Sequence, residues 1–175
     1  MSNTSWMTLA PGHVIRVMYE EHEVILATLT ALEAASRDLE AASPEASGPV
    51  FKRIAGLAQR LCDAESHHER EEKVLFPALE DVGIDGPTAV MREEHVELRA
   101  AKHDILEMAR AADANAREAL CRRCLWIVHS LRDHISKENV ILYPEALEAI
   151  PDASQWDEMK SRAEAIGYCP FTPRW

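Results

Sequence analysis

The sequence predicts an all-α protein: an up-and-down four-helix bundle of two repeated helical hairpins, plus a short C-terminal helix and tail. Three observations carry this. Ala, Leu, Glu and Arg dominate the 175 residues, glycines number six, and β-branched residues are sparse, which is helix composition. Prolines sit between long segments rather than inside a sheet pattern: Pro11, Pro44 and Pro49, Pro87 beside Gly83 and Gly86, Pro151, then Pro170 and Pro173. Each of four long segments carries a single apolar stripe at helical spacing.

Taken in order, the first helix is expected over 13–41, with a stripe of Ile15, Met18, His22, Ile25, Leu29 and Leu32. The second covers 50–79 and reads Ile54, Leu57, Leu61, Ala64, His67, Glu71 and Leu75. The third, 87–112, gives Met91, His95, Leu98, Ile105 and Met108; the fourth, 116–148, gives Cys124, Ile127, Leu131, His134, Glu138 and Leu142. A short helix follows over 153–166. The bundle is thus expected within 1–150, and 151–175 is expected to be a helix and tail packing on it. That tail ends IGYCPFTPRW, and its Tyr168, Phe171 and Trp175 offer a cover for one end or a contact for a protein partner.

Charge and cysteine usage narrow the function classes. With 19 Lys and Arg against 30 Asp and Glu the formal charge is −11, which speaks against nucleic acid or an anionic membrane as partner. No segment approaches the roughly 18 unbroken apolar residues of a membrane helix. The N-terminus lacks a basic start and a long apolar stretch, so a cytoplasmic protein is expected. Cys62, Cys121, Cys124 and Cys169 are too few and too dispersed for a disulfide scaffold, and reduced thiols are expected. Cys121 and Cys124 form a CxxC inside a helical run, which reads as a buried small residue with a half-exposed neighbour.

Six ionisable residues lie in the middle of the stripes, where burial without partners costs several kcal/mol each. They follow an internal repeat. EEH at 20–22 recurs at 93–95, and HHEREEKVLFP at 67–77 recurs as HISKENVILYP at 134–144. At an offset of 67 positions His67 aligns with His134, Glu71 with Glu138 and Pro77 with Pro144. At 1.5 Å per residue, each His lies roughly 26–28 Å from the turn of its hairpin, so the six fall at one level of the bundle.

His67 with Glu71 and His134 with Glu138 are i,i+4 pairs on one helix face. With His22 and His95 they supply four imidazoles and two carboxylates. Imidazole and carboxylate without thiolate suit iron, manganese or zinc, and the doubling suggests two ions sharing carboxylates. His68 and Glu72 have the same spacing as His67 and Glu71; the single His in the second copy favours His67, leaving His68 and Glu72 beside the ligands or on the surface. His103 and His129 read as surface residues and His13 as a helix-start group. Glu20, Glu21, Glu23, Glu93, Glu94 and Glu97 read mainly as solvated helix faces, with some available to hold ligand imidazoles.

The order His, HxxxE, His, HxxxE, with LFP or LYP after each HxxxE, resembles the hemerythrin-like family, the HHE cation-binding domains, over roughly 13–148. That resemblance implies a non-haem di-iron centre of two iron ions, oxo- or hydroxo-bridged, in preference to zinc or manganese. It implies His22 and His67 on one iron, His95 and His134 on the other, and Glu71 and Glu138 bridging both. The family's oxygen carriers add a second His four residues after the third-helix ligand, where this chain has Arg99. Both irons are then expected to keep an open position. This suits reaction with, or sensing of, dioxygen, peroxide or nitric oxide better than reversible oxygen transport, although Tyr19 is a candidate extra ligand. The alternatives are a non-enzymatic iron-handling or redox-sensing module acting through the tail, an oxygen-binding protein, and a structural bundle with zinc or no metal. Some relatives repair iron–sulfur clusters; without an N-terminal cysteine-bearing extension, that version is not expected here.

Overall fold

A computed structural model describes residues 5–174. It is 85 % helical, and no strand occurs among the described residues. The all-α class expected from the sequence is the one found. The helices are α1 (Val14–Ala41), α2 (Ser47–Cys62), α3 (Glu65–Arg70), α4 (Phe76–Asp81), α5 (Gly86–Ala111), α6 (Arg117–Lys137), α7 (Tyr143–Ala149) and α8 (Ala153–Ile166).

Where expectation and structure differ, the backbone gives the reason. The second helix starts at Ser47 rather than residue 50, because Pro49 falls in the first turn, where no N–H is owed to a preceding carbonyl. Asp63 and Ala64 form a turn between α2 and α3, so the expected continuous helix over 50–79 is interrupted. The expected fourth helix over 116–148 is interrupted too. In both, a π turn follows the HxxxE histidine: Glu71–Leu75 between α3 and α4, and Glu138–Leu142 between α6 and α7.

Proline explains both π turns. Phe76 donates its N–H five residues back to the Glu71 carbonyl, and Tyr143 does the same to Glu138. The next residues, Pro77 and Pro144, have no N–H to give, so a carbonyl on each helix loses its backbone partner. Side chains from elsewhere replace it. Arg92 Nη1 donates to the Glu72 carbonyl at 3.0 Å, Arg162 Nη2 to that of Lys73 at 2.6 Å, and the Tyr19 hydroxyl to that of Asn139 at 2.6 Å.

The chain divides into two compact units. One contains 25–63 and 95–133, four helical lengths drawn from α1, α2, α5 and α6. Leu29, Leu32, Ile54, Leu61, Ile105 and Ile127 are among its fully buried side chains. Neighbouring helices are tied in a ring: Arg53 to Asp38, Arg110 to Gln59 at 2.8 Å, Arg123 to Asp104 at 2.7 Å, and Arg132 to Glu33 at 2.8 Å. Cys121 and Cys124 are both buried here, which corrects the half-exposed reading of Cys121. Burial pushes the Cys124 thiol up to about 12 and raises Cys121 as well, so neither is a nucleophile at neutral pH.

The other unit contains residues up to Val24, 64–94 and 134 onward. Its core is one apolar cluster that includes Ile15, Met18, Leu75, Phe76, Leu142, Tyr143 and Trp156. Asp152 caps α8 by accepting the Ser154 N–H at 2.8 Å. Gly167, at φ +96°, ends α8 and turns the chain into the tail. Tyr168 lies against the Arg70 guanidinium at 4.8 Å, Ser66 donates to Cys169 Sγ at 3.4 Å, and Thr172 bonds Glu21. Phe171 is half-buried, and Trp175, expected to share in this cover, lies outside the described residues.

Candidate metal centre

Within this second unit α1, α3, α6 and the two π turns bring His22, His67, Glu71, His134 and Glu138 together, all buried. Each π turn begins at the glutamate of an HxxxE pair, so the widened turn itself carries the carboxylate inward. His22 Nε2 lies 3.0 Å from His67 Nε2 and 3.2 Å from Glu138 Oε2. His134 Nε2 lies 2.9 Å from Glu138 Oε1, and His67 Nε2 lies 3.6 Å from Glu71 Oε2. Carboxylate oxygens of Glu71 and Glu138 approach within 4.8 Å. The remaining expected ligand, His95, follows Glu94 on α5 and is fully buried, as the first residue of its stretch in the other unit.

The opposite nitrogen of each ring decides what these atoms can do. His22 Nδ1 faces Asn139 Oδ1 at 2.8 Å, His67 Nδ1 faces Glu21 Oε2 at 2.7 Å, and His134 Nδ1 faces Glu94 Oε2 at 2.7 Å. An oxygen that only accepts requires the ring to donate there, so in the neutral imidazole the lone pair is on Nε2. Three lone pairs and two carboxylates therefore converge. Such a set demands positive charge, and a metal ion meets the demand. Two imidazole nitrogens that share one ion at bonds of about 2.1 Å, near a right angle, stand about 3.0 Å apart. That is the His22–His67 spacing. Electrostatics at His22 point the same way: burial would lower its pKa, yet Glu138, Glu71 and Asn139 together raise it above the ordinary value.

Four residues surround the set: Glu21 and Glu94, among the glutamates expected to be available for holding imidazoles, and Asn139 and Tyr143, which were not foreseen. Glu21, fully buried, accepts from Arg70 Nη2 at 2.7 and 2.5 Å and from Thr172. Burial acts to raise its pKa, but His67, Arg70 and Thr172 outweigh it and hold the carboxyl at about 2. Glu94 plays the same part for His134 but is 29 % exposed and paired to Lys137 at 2.5 Å. Asn139 orients His22. Tyr143 donates to Glu71 Oε1 at 2.6 Å and stacks on the His22 ring at 5.5 Å between centroids. Burial, with Glu138 and Glu71 nearby, raises the Tyr143 pKa well above its usual value, so the hydroxyl keeps its proton.

A signal for two of these was present. In each EEH the middle residue, Glu21 or Glu94, holds the histidine of the HxxxE pair in the same hairpin, so the repeat encodes the support as well as the histidines supported. Of the flanking glutamates expected to be mainly solvated, these two are the ones that serve to hold imidazoles. Tyr19 is committed to the Asn139 carbonyl rather than turned to the ligands. Of the two places expected for His68, beside the cluster or on the surface, the structure shows the first: it is buried, its ring edge-to-face with His134 at 6.2 Å. His103 and His129 are exposed, and His13 accepts the Ile15 N–H at 3.2 Å at the start of α1, each as expected.

The comparisons with known proteins agree with this geometry. The Hemerythrin HHE cation binding domain family pattern matches residues 13–146. A protein of Enterobacter sp. (strain 638), "Iron-sulfur cluster repair protein YtfE", is 29 % identical over 154 residues, covering 81 % of this chain and 69 % of its own. Proteins of the same name from Escherichia coli O139:H28 and Shigella boydii serotype 18 are each 29 % identical over 143 residues, covering 77 % of this chain. The chain spans 64 % of their length. No helix among the described residues is long and apolar enough to cross a membrane.

Proposed function

The chain belongs to the hemerythrin HHE cation-binding family, and from that premise we propose a non-haem di-iron protein that reacts with, or senses, dioxygen, peroxide or nitric oxide. In this reading His22, His67, His95 and His134 are the nitrogen ligands, and Glu71 and Glu138 are carboxylates shared by two irons. His95 enters on the repeat and on its complete burial. The observation that carries the reading is the common orientation of His22, His67 and His134: Nδ1 fixed by an oxygen, Nε2 turned to the carboxylates.

Iron bound here would supply reversible one-electron chemistry and an exchangeable position for a small ligand. The protein's own part is orientation and insulation. Glu21, Glu94 and Asn139 fix three imidazole tautomers, which raises the basicity of the ligating nitrogens. Tyr143 keeps its proton and donates it in a hydrogen bond to Glu71, holding that carboxylate in place. Buried Ile15, Met18, Leu75 and Leu142 exclude bulk water from the same unit.

A second reading, a sensor that signals through the tail, is supported by the hydrogen bond from Thr172 to the carboxylate that holds His67. The relatives' name refers to iron–sulfur cluster repair, and this chain shares about two thirds of their length; whether it shares that role is tested by the same centre's chemistry. Metal analysis and visible absorption of aerobically purified protein come first. Two irons with charge-transfer absorption support the proposal, and a colourless zinc protein overturns it. Steady-state turnover of peroxide then favours reaction; a metal-dependent change in protease sensitivity over 150–174 without turnover favours sensing.

A further inference from the structure

Position 68 separates the two copies of the repeat. The second copy has Ile135 there, buried and apolar, which is what a core position ordinarily takes. The first copy puts an imidazole in the same place, 4 % exposed. Burying that polar ring in place of an aliphatic one costs free energy unless its nitrogens are used. Consecutive helical residues point about 100° apart, so His67 and His68 address different sides of α3. His67 meets His22, while a ring nitrogen of His68 comes within 4.8 Å of one on His134. The His68 Nδ1 stands 4.0 Å from the Glu65 carboxylate, beyond hydrogen-bond reach, unlike the 2.7 Å contacts that hold His67 and His134.

We propose that His68 is a further metal ligand, an imidazole for the ion that His134 holds. This rests on the two-ion reading above and sharpens it, because the two ions become unequal. The ion at His134 gains a nitrogen donor and loses its exchangeable position. The ion at His22 and His67 keeps one, with the Tyr143 hydroxyl 3.4 Å from His22 Nε2. The expectation that both ions stay open is thereby replaced by a single binding position for one small ligand.

Cobalt(II) is the probe, added anaerobically to the metal-free full chain, with bound ions counted by titration. Each imidazole bound to cobalt gives a strongly shifted ring N–H proton resonance. Wild type is expected to bind two ions and show five such resonances, from His22, His67, His68, His95 and His134. His68→Gln is expected to show four and to bind one ion at least about tenfold more weakly, the other being unchanged. Exposed His129→Gln should match wild type. Two bound ions with four resonances in wild type, or wild-type affinity for both ions in His68→Gln, overturns the assignment and leaves the two-ion reading standing. Fewer than two ions in wild type overturns both. Should His68→Gln not fold, the wild-type resonance count decides alone.

Discussion

The two HxxxE turns are built on one plan and finished differently. His67 is held by Glu21, which is fully buried, clamped by a buried arginine and bonded to the tail. His134 is held by Glu94, which is 29 % exposed and paired with a surface lysine. The same orienting contact is thus set once in the core and once at the surface. The difference teaches that the two sides of the centre, though related by repeat, are not equally replaceable.

The strongest way to break this comparison is to remove the two carboxylates in turn. Glu21→Ala strands the Arg70 guanidinium in the core and is expected to cost about 3–5 kcal/mol of stability in metal-free protein, measured by urea denaturation. Glu94→Ala, discounted for solvent screening, is expected to cost no more than about 1 kcal/mol. Equal costs would erase the distinction.

Tyr143→Phe comes next, because it makes the second copy like the first, where Phe76 occupies the matching place. Loss of a hydrogen bond to a carboxylate is expected to cost about 1.5–3 kcal/mol, seen as a lower urea midpoint with an unchanged slope. Tyr19→Phe leaves the Asn139 carbonyl beside Pro144 without its donor, at an expected cost of about 1–2 kcal/mol by the same measurement. A cost near zero would mean that the π turn does not depend on that hydroxyl.

The smallest effect concerns thiols. With Cys124 pushed up to about 12 and Cys169 to about 11, iodoacetamide at pH 8 should label half-buried Cys62 before either, read by mass spectrometry. Cys169 is the one that distinguishes the turns, since removing Thr172 from Glu21 by Thr172→Val should speed its labelling and leave Cys124 unchanged.

The all-α class, the proline breaks and the buried ionisable residues were legible because they are written in spacing. A stripe at 3.6 residues names a buried face, and six ionisable residues on such faces announce a centre. The π turns were not legible. A proline one turn beyond Glu71 reads as an end or a kink, and nothing local says that Arg92 and Arg162, distant in sequence, repair the carbonyls it strands. Glu21 and Glu94 were half-legible: the EEH repeat marked them, but a glutamate beside a histidine on an amphipathic helix is ordinarily a solvated neighbour. For His68 the repeat left two places open, beside the cluster or on the surface, and the fold selects the first by burying both histidines.

Thr172 reaches Glu21 across 151 positions of sequence. A ribosome makes Glu21 and His67 well before it makes that threonine, so the support of His67 is completed only after both have emerged. Until residue 172 has left the exit tunnel, the Glu21 carboxylate rests on Arg70 and His67 alone. Translation order thus leaves the tail's hydrogen bond later than the other contacts of the Glu21 carboxylate.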